Sequence, residues 1–210
     1  MKIIDISVPV SHKLPLWPNS SGLCLTRVAK IGKKSVVNET HIEMNAHIGT
    51  HIDAPLHFIP KGLSIDKLPL DIFIGPTFVA NLDKVKEITA KDLETLPLPK
   101  NVKRILFKTS NSRLWEKKVK KFKPDYVGLT ADAASWLVKR GIRLVGMDYL
   151  SIAKFSEAVA VHKILLGNNV YIVESLNLTG VKSGTYELVC VPIKITDSEA
   201  APARAMLLTK

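Results

Sequence analysis

The strongest constraint on the fold of this chain is the segment from His47 to Phe58, which reads His-Ile-Gly-Thr-His-Ile-Asp-Ala-Pro-Leu-His-Phe. His47 and His51 lie four residues apart, as in helical zinc motifs, but Gly49 lies between them and Pro55 follows closely. The segment also contains three β-branched residues, which are Ile48, Thr50 and Ile52. The sequence therefore predicts extended backbone here rather than a helix.

Extended backbone would place alternate residues on one face, because successive side chains of a strand point in opposite directions. The shared face would hold His47, Gly49, His51 and Asp53. Imidazole nitrogens and a carboxylate oxygen suit zinc, manganese or iron, and the glycine would leave room for an ion. The pattern favours a metal site. The alternative is that these are ordinary polar residues on a half-exposed strand.

Two further histidines lie close to this segment. His57 follows the Pro55 turn, and it is either another ligand or a mobile acid and base, since histidine titrates near neutral pH. His41 precedes the segment, and we interpret it as structural.

The rest of the chain indicates a mixed α/β domain in which strands outnumber helices. Strands are predicted at 2–9, 24–31, 73–82, 102–108, 143–147, 170–174, 186–195 and 203–208, with mostly extended chain at 33–44. A capping box at Thr89–Asp92 predicts a short helix that stops before Pro97. Another helix is expected from Thr130 as its N-cap to Gly141, and a third over 158–167.

Composition limits the class of protein. Hydrophobic residues make up 46% of the 210 residues, which is enough to fill one core, so we expect a single domain over residues 1–210. The first residues lack a secretory signal pattern, and we therefore expect a cytoplasmic protein. A cytoplasmic protein with two cysteines does not require a disulfide. We interpret Cys190 as a small apolar residue in a buried strand.

The net charge of +11 invites a nucleic-acid hypothesis, but much of the excess lies between Arg113 and Lys123. Apolar residues recur there at helix-like intervals, at Leu114, Trp115, Val119 and Phe122. We interpret this stretch as an amphipathic surface helix with a lysine-rich solvent face. A nucleic-acid binder remains an alternative that rests on charge alone.

The pattern His-x-Gly-Thr-His-x-Asp-Ala-Pro-x-His-Phe resembles the signature of the cyclase-like metal hydrolases, a family that includes bacterial kynurenine formamidase and isatin hydrolase. Other segments resemble the same family along nearly the whole chain, at 4–7, 15–18, 62–69, 145–152, 162–166, 172–176 and 201–205. The resemblance implies an α/β protein with the swivelling β/β/α cyclase-like fold. Its sheet would be mixed, with a substantial antiparallel component.

The resemblance also implies roles for individual residues. His47, His51 and Asp53 would bind one divalent metal, zinc or manganese. Asp53 would bridge to a second metal, which His162 and Glu174 would share. From the residues alone, His162 falls on a predicted helix, and Glu174 is either a surface residue at a strand end or a ligand that faces inward.

By the same resemblance, His57 would donate and accept protons, and Trp17 would line the substrate pocket. The chain would assemble as a homodimer or a larger homo-oligomer. The implied reaction is hydrolysis of an amide C–N bond by a metal-activated water, and tryptophan catabolism is the best known context of the family. The leading substrate is N-formylkynurenine. A lactam such as isatin is the close alternative, and a non-enzymatic metal-binding protein is the alternative of another class.

Overall fold

The computed structural model describes residues 1–209. Within that range the strands are β1 (Lys2–Asp5), β2 (Leu23–Ala29), β3 (Glu39–Met44), β4 (His51–Asp53), β5 (Ile74–Leu82), β6 (Arg104–Thr109), β7 (Leu144–Met147), β8 (Tyr171–Glu174), β9 (Gly184–Pro192) and β10 (Ala200–Thr209). The helices are α1 (Ala90–Glu94), α2 (Ser112–Glu116), α3 (Ala131–Lys139) and α4 (Ala158–Gly167). In this range, no helix combines the length and apolar character that crossing a membrane requires.

Seven strands form a closed, barrel-like sheet in the order β10-β4-β8-β7-β6-β5-β9, because β9 pairs back onto β10. Strands β5 to β8 pair in parallel, and the other pairs in the ring are antiparallel. Strand β1 extends the sheet beside β10. The predicted α/β class with a mixed sheet is thus confirmed, whereas the swivelling β/β/α arrangement stays a prediction.

Both faces of the sheet are apolar, as expected for parallel strands covered on both sides. Along β6, Ile105 and Phe107 belong to the cluster that packs against α1, α3 and α4. Leu106 belongs to a second cluster on the opposite face, together with Ile52 and Val173 from β4 and β8. The alternation of side chains along each strand therefore decides which residues of β4 and β8 point toward α4.

Three predicted helix boundaries have the expected residues. Thr89 is the N-cap of α1, and its reciprocal capping box with Asp92 is confirmed. Thr130 lies at the N-cap of α3, although its hydroxyl donates to the Ile88 carbonyl rather than capping the helix backbone. Gly141 follows the end of α3 with φ of 74°, the left-handed conformation that glycine adopts without strain.

The predicted amphipathic helix over Arg113–Lys123 is wrong in its second half. Helix α2 ends at Glu116, and Lys118 adopts the left-handed region with φ of 51°. The Val119 N–H then bonds back to the Leu114 carbonyl, as in a Schellman ending. Five lysines within seven residues disfavour continued helix by like-charge repulsion. Phe122 instead packs its ring on other aromatic residues.

Strands β2 and β3 form a separate two-stranded sheet, which is largely exposed. The stretch predicted as extended over 33–44 is a strand only from Glu39. His41 lies on β3, outside the closed sheet, with its side chain exposed. His41 belongs to neither ligand group, and its interpretation as a structural residue stays a prediction.

Candidate metal centre

The histidine segment is extended over less than half of its predicted length. Residues 46–50 form turns, and β4 begins at His51. The bend lies at Gly49, where φ is 71°. The prediction that His47, Gly49, His51 and Asp53 share one strand face is therefore wrong for the first two of them.

Gly49 also does not provide space for an ion. A Cβ atom at this position would lie 2.8 Å from Cγ2 of Val10, where two carbon atoms overlap. The residue is glycine because the backbone has positive φ and packs closely against the chain near Val10. His47 reaches the site from the turn before this bend.

Strand pairing brings Glu174 next to His51. His51 and Asp53 alternate on β4, and antiparallel pairing with β8 places Glu174 directly opposite His51. Their side chains point to the face that carries α4, because Ile52 and Val173 fill the other face. Glu174 Oε2 lies 3.3 Å from His51 Nε2. The carboxylate at the end of this apolar strand therefore faces inward.

His162 reaches the same cluster from α4, which confirms the helix predicted over 158–167. Its Nε2 atom lies 3.2 Å from Glu174 Oε1 and 3.7 Å from Asp53 Oδ2. The Ile152 N–H donates to the same Glu174 oxygen at 2.7 Å. A helix, two strands and the turn before β4 thus meet at one point.

These residues form two overlapping groups that share Asp53. In each group the nearest nitrogen or oxygen ligand atoms all lie within 4.8 Å of one another. The first group is His47, His51 and Asp53, and the second is Asp53, His162 and Glu174. These are the five residues that the resemblance implies as metal ligands; that they bind metal, and that Asp53 would be shared between two ions, stays a prediction.

The hydrogen bonding of this cluster fits a divalent cation. Among residues 1–209, neither carboxylate oxygen of Asp53 has a hydrogen-bond partner, and neither does His51 Nε2. His47 Nδ1 approaches Asp53 Oδ1 to 3.0 Å without the alignment of a hydrogen bond. Burying a neutral polar group without a hydrogen bond costs about 2–7 kcal/mol of folding free energy, and burying an unpaired carboxylate costs more. A bound cation would offset that cost. Histidine nitrogens and carboxylate oxygens are ligands that zinc and manganese accept.

The electrostatics of the cluster are dominated by two buried carboxylates. Burial opposes the charging of His47, but the carboxylates of Asp53, Glu174 and Glu199 outweigh it and raise its pKa to about 9. The pKa of His162 is also raised, against burial, chiefly by Glu174. Without a metal, the cluster therefore attracts protons in place of the cation.

His57 lies beside the cluster on the short 3-10 turn Pro55–His57. Its ring centroid is 4.3 Å from that of His47 and 6.0 Å from that of His162. Burial lowers its pKa, so the ring is neutral and able to accept a proton at pH 7. His57 belongs to neither ligand group, which separates it from the five residues predicted as ligands.

A cavity of about 320 Å³ opens onto the cluster. Its lining includes His47, His57, His162 and Glu174, and also Trp17. Other residues that line the cavity include Pro15, Asn45, Phe58, Leu150 and Ser151. The cavity therefore brings a bound molecule into reach of both the predicted ligands and the predicted proton carrier.

The Trp17 ring lines the cavity and packs against aromatic residues that lie behind it. The Trp17 ring centroid lies 5.2 Å from that of Phe122 and 5.4 Å from that of Phe155. Phe122 also stacks on Tyr149, at 6.5 Å between centroids. The Trp17 ring, supported by this packing, therefore offers a flat apolar surface to an aromatic molecule in the cavity.

One acidic residue near the cluster has no counterpart in the sequence-based predictions. Glu199 Oε1 lies 3.2 Å from His47 Nε2, although the two residues are far apart in the chain. The only sequence signal for it is its position just before the resemblance at 201–205. Cys190, by contrast, is buried as expected, and burial raises the pKa of its thiol to about 12.

Comparison with known proteins agrees with this geometry. A family model described as putative cyclase matches residues 4–154. Cyclase-like protein 1 of Arabidopsis thaliana is 38% identical over 99% of this chain and 85% of its own length. Kynurenine formamidase of Bacillus anthracis is 33% identical over 98% of this chain and 97% of its own length.

Solved structures show the same fold. The structure of a potential metal-dependent hydrolase with cyclase activity is 33% identical, with a TM-score of 0.85, and the match covers 98% of this chain and 96% of the other. Isatin hydrolase A from Ralstonia solanacearum has a TM-score of 0.84 at 20% identity, covering 100% of this chain and 92% of the other. At that identity the second likeness concerns the fold alone.

Proposed function

This chain belongs to the cyclase family, and on that basis we propose that it is a metal-dependent amide hydrolase whose metal is held by His47, His51, Asp53, His162 and Glu174. The observation that carries the proposal is the buried convergence of these side chains on Asp53, whose two oxygens lack hydrogen bonds within residues 1–209. The relatives named as hydrolases support the reaction class.

We further propose that the substrate is an aryl formamide, with N-formylkynurenine as the first candidate. Support comes from the relative named kynurenine formamidase and from the Trp17 ring, which lines the cavity and is held by Phe122 and Phe155. Stacking of an aryl ring on Trp17 contributes about 0.5–1.5 kcal/mol beyond the area that it buries. The products would be the aryl amine and formate.

The reaction divides its tasks among these residues. A divalent metal, when bound, supplies Lewis-acid chemistry that activates water and polarises a carbonyl oxygen. Asp53 and Glu174 supply the negative charge that holds the cation in a buried site. His57, neutral at pH 7 and facing the cavity, accepts a proton from the attacking water and delivers it to the departing nitrogen. Trp17 orients the aryl group.

Turnover of N-formylkynurenine by protein loaded with zinc or manganese tests this proposal, with formate and kynurenine measured as products. We expect hydrolysis that depends on the metal and that the His41→Ala variant retains, because His41 is exposed and lies outside the cluster. Hydrolysis of isatin but not of N-formylkynurenine would contradict the substrate and keep the hydrolase. No hydrolysis of either by metal-loaded protein would contradict the proposed reaction.

The family resemblance also predicts a homodimer or a larger homo-oligomer. We retain this as part of the proposal, and sedimentation velocity on the purified protein measures it. A monomer at micromolar concentration would contradict it.

A further inference from the structure

Each imidazole ring in the cluster has one nitrogen turned away from Asp53. Nδ1 of His51 lies 2.9 Å from the Gly49 carbonyl oxygen, and Nδ1 of His162 lies 2.6 Å from the Ala158 carbonyl oxygen. A carbonyl oxygen only accepts, so the hydrogen of the neutral ring must be on Nδ1 in both residues. Their Nε2 atoms then carry the lone pair that a metal requires.

His47 has the same arrangement with its nitrogens exchanged. Nδ1 is the atom that faces the cluster, 3.0 Å from Asp53 Oδ1. Nε2 faces outward, 3.2 Å from Glu199 Oε1. The outward acceptor is therefore a carboxylate, whereas the other two rings bond to neutral backbone carbonyls. A carboxylate acceptor raises the basicity of the ligand nitrogen across the ring more than a carbonyl does.

The backbone around Glu199 is fixed by strand pairing. Ala200 pairs with Asp53 across β10 and β4, and the Glu199 carbonyl accepts from the Ala54 N–H at 2.9 Å. The Ser198 carbonyl accepts from the Ile65 N–H at 2.8 Å. The same ladder that positions Asp53 thus holds Glu199 beside His47.

His47 is also the ligand candidate that packing restrains least. Its side chain is 22% exposed, compared with 1% for His51 and 5% for His162. It is carried by a turn, whereas the other two lie on a strand and a helix. An external hydrogen bond therefore matters more for the orientation of this ring than for the other two.

We propose that Glu199 is a positioning residue of the metal site. Its carboxylate accepts the Nε2–H of His47, which fixes the tautomer with the lone pair on Nδ1 and turns that atom toward Asp53. The inference rests on the proposed metal site, and it adds to that site a residue that binds no metal itself.

Metal affinity measured by calorimetry tests this role, with zinc as the probe and Glu199→Ala and Glu199→Gln as the variants. Loss of a partner of this kind weakens metal binding about 10–100-fold, and we expect that loss in Glu199→Ala. Glutamine keeps an acceptor oxygen in the same place, so Glu199→Gln should recover part of the affinity. Glu94→Ala, which removes an exposed carboxylate on α1, is the matched control and should bind like the wild type.

Nitrogen-15 NMR of the zinc-loaded protein provides a second readout. In the wild type, His47 should show a protonated Nε2 and a metal-bound Nδ1, and in Glu199→Ala the Nε2 proton should exchange faster with water. Equal zinc affinity and an unchanged His47 spectrum in both Glu199 variants would overturn the inference and leave the proposed function intact. Failure of the wild type to bind zinc would overturn the proposed metal site, and the role of Glu199 with it.

Discussion

At the scale of single residues, Asp53 has the most demanding position in the site. It is fully buried, belongs to both ligand groups, and has no hydrogen bond to either carboxylate oxygen within the described chain. Burial alone would raise its pKa, but the contact with His47 and the charges of His47 and His51 hold the pKa below the usual range. The chain therefore keeps a carboxylate charged where only a cation can satisfy it.

Replacing Asp53 by asparagine should abolish tight metal binding at both groups. The amide has the same size as the carboxylate but lacks the negative charge, and its N–H₂ end cannot bind a cation. Metal content of the purified, reloaded variant gives the answer, with circular dichroism to check that it folds. A variant that retains full metal content would disprove the bridging role of Asp53.

Replacing His57 by alanine should leave the metal in place and remove most of the activity. A positioned acid and base contributes about 10²–10⁴-fold to the rate, so kcat should fall by a factor in that range. Metal content and turnover measured on the same sample separate the two effects. If the metal is lost together with activity, His57 is a ligand, and another residue must carry the proton.

At the scale of elements, the turn at Gly49 is the feature that local pattern misjudged. Alternation of polar and apolar residues predicts a continuous strand from His47 to Asp53, and it correctly identified the extended stretch at His51–Asp53. It missed the bend because glycine adopts both extended and positive φ readily, so the sequence does not show which conformation Gly49 has. Both arrangements bring His47 to Asp53, so the predicted ligands meet although the predicted backbone differs.

Gly49→Ala should destabilise the protein more than Gly180→Ala. Both glycines have similar positive φ, 71° and 73°, so both variants carry the backbone strain, of order 1–3 kcal/mol. The added Cβ meets Val10 at 2.8 Å at Gly49 and open space at Gly180. Urea unfolding of the two variants measures the difference. Equal losses of unfolding free energy would show that the contact with Val10 relaxes freely.

The basic segment after α2 shows a second limit of local pattern. Spacing of apolar residues predicted a helix through Lys123, but Phe122 packs with Trp17, Phe155 and Tyr149 instead of completing a helical face. Those partners are distant in sequence, so the pattern of neighbouring residues around Phe122 does not predict the contacts. Local signals succeeded where the cause is local, as with the Thr89–Asp92 capping box.

At the scale of the whole molecule, the site depends on closure of the sheet. Pairing of β4 with β8 sets Glu174 opposite His51, and pairing of β4 with β10 brings Glu199 to His47. Register between distant strands follows from the complete topology, which composition and spacing do not determine. The places of His162 and Glu174 were therefore predicted only from the family resemblance, and the neighbourhood of Glu199 was not predicted.

The metal-free protein should lose stability as pH rises from 6.5 to about 9. The pKa of His47 is raised from 6.5 to about 9 in the folded state, so its contribution is complete below pH 6.5 and disappears as the pH passes its folded pKa. The raised pKa of His162 acts in the same direction. Thermal unfolding in the presence of a chelator at pH 6, 7.5 and 9 measures the slope.

His47→Asn is the matched variant for that experiment, because it removes the group with the raised pKa and keeps a polar side chain of similar reach. Its stability should depend less on pH over the same interval. A wild type whose stability is constant or rises between pH 6.5 and 9 would contradict the conclusion that the carboxylates of Asp53, Glu174 and Glu199 raise the pKa of His47.

The central claim is that the cluster around Asp53 binds the metal on which amide hydrolysis depends. Its most direct test is a titration of chelator-treated protein with zinc or manganese, in which bound metal per chain and turnover of N-formylkynurenine are measured on the same samples. We predict one or two metal ions per chain and an activity that rises in step with occupancy. A protein that binds no metal after loading, or that hydrolyses the substrate equally well without metal, would contradict the claim.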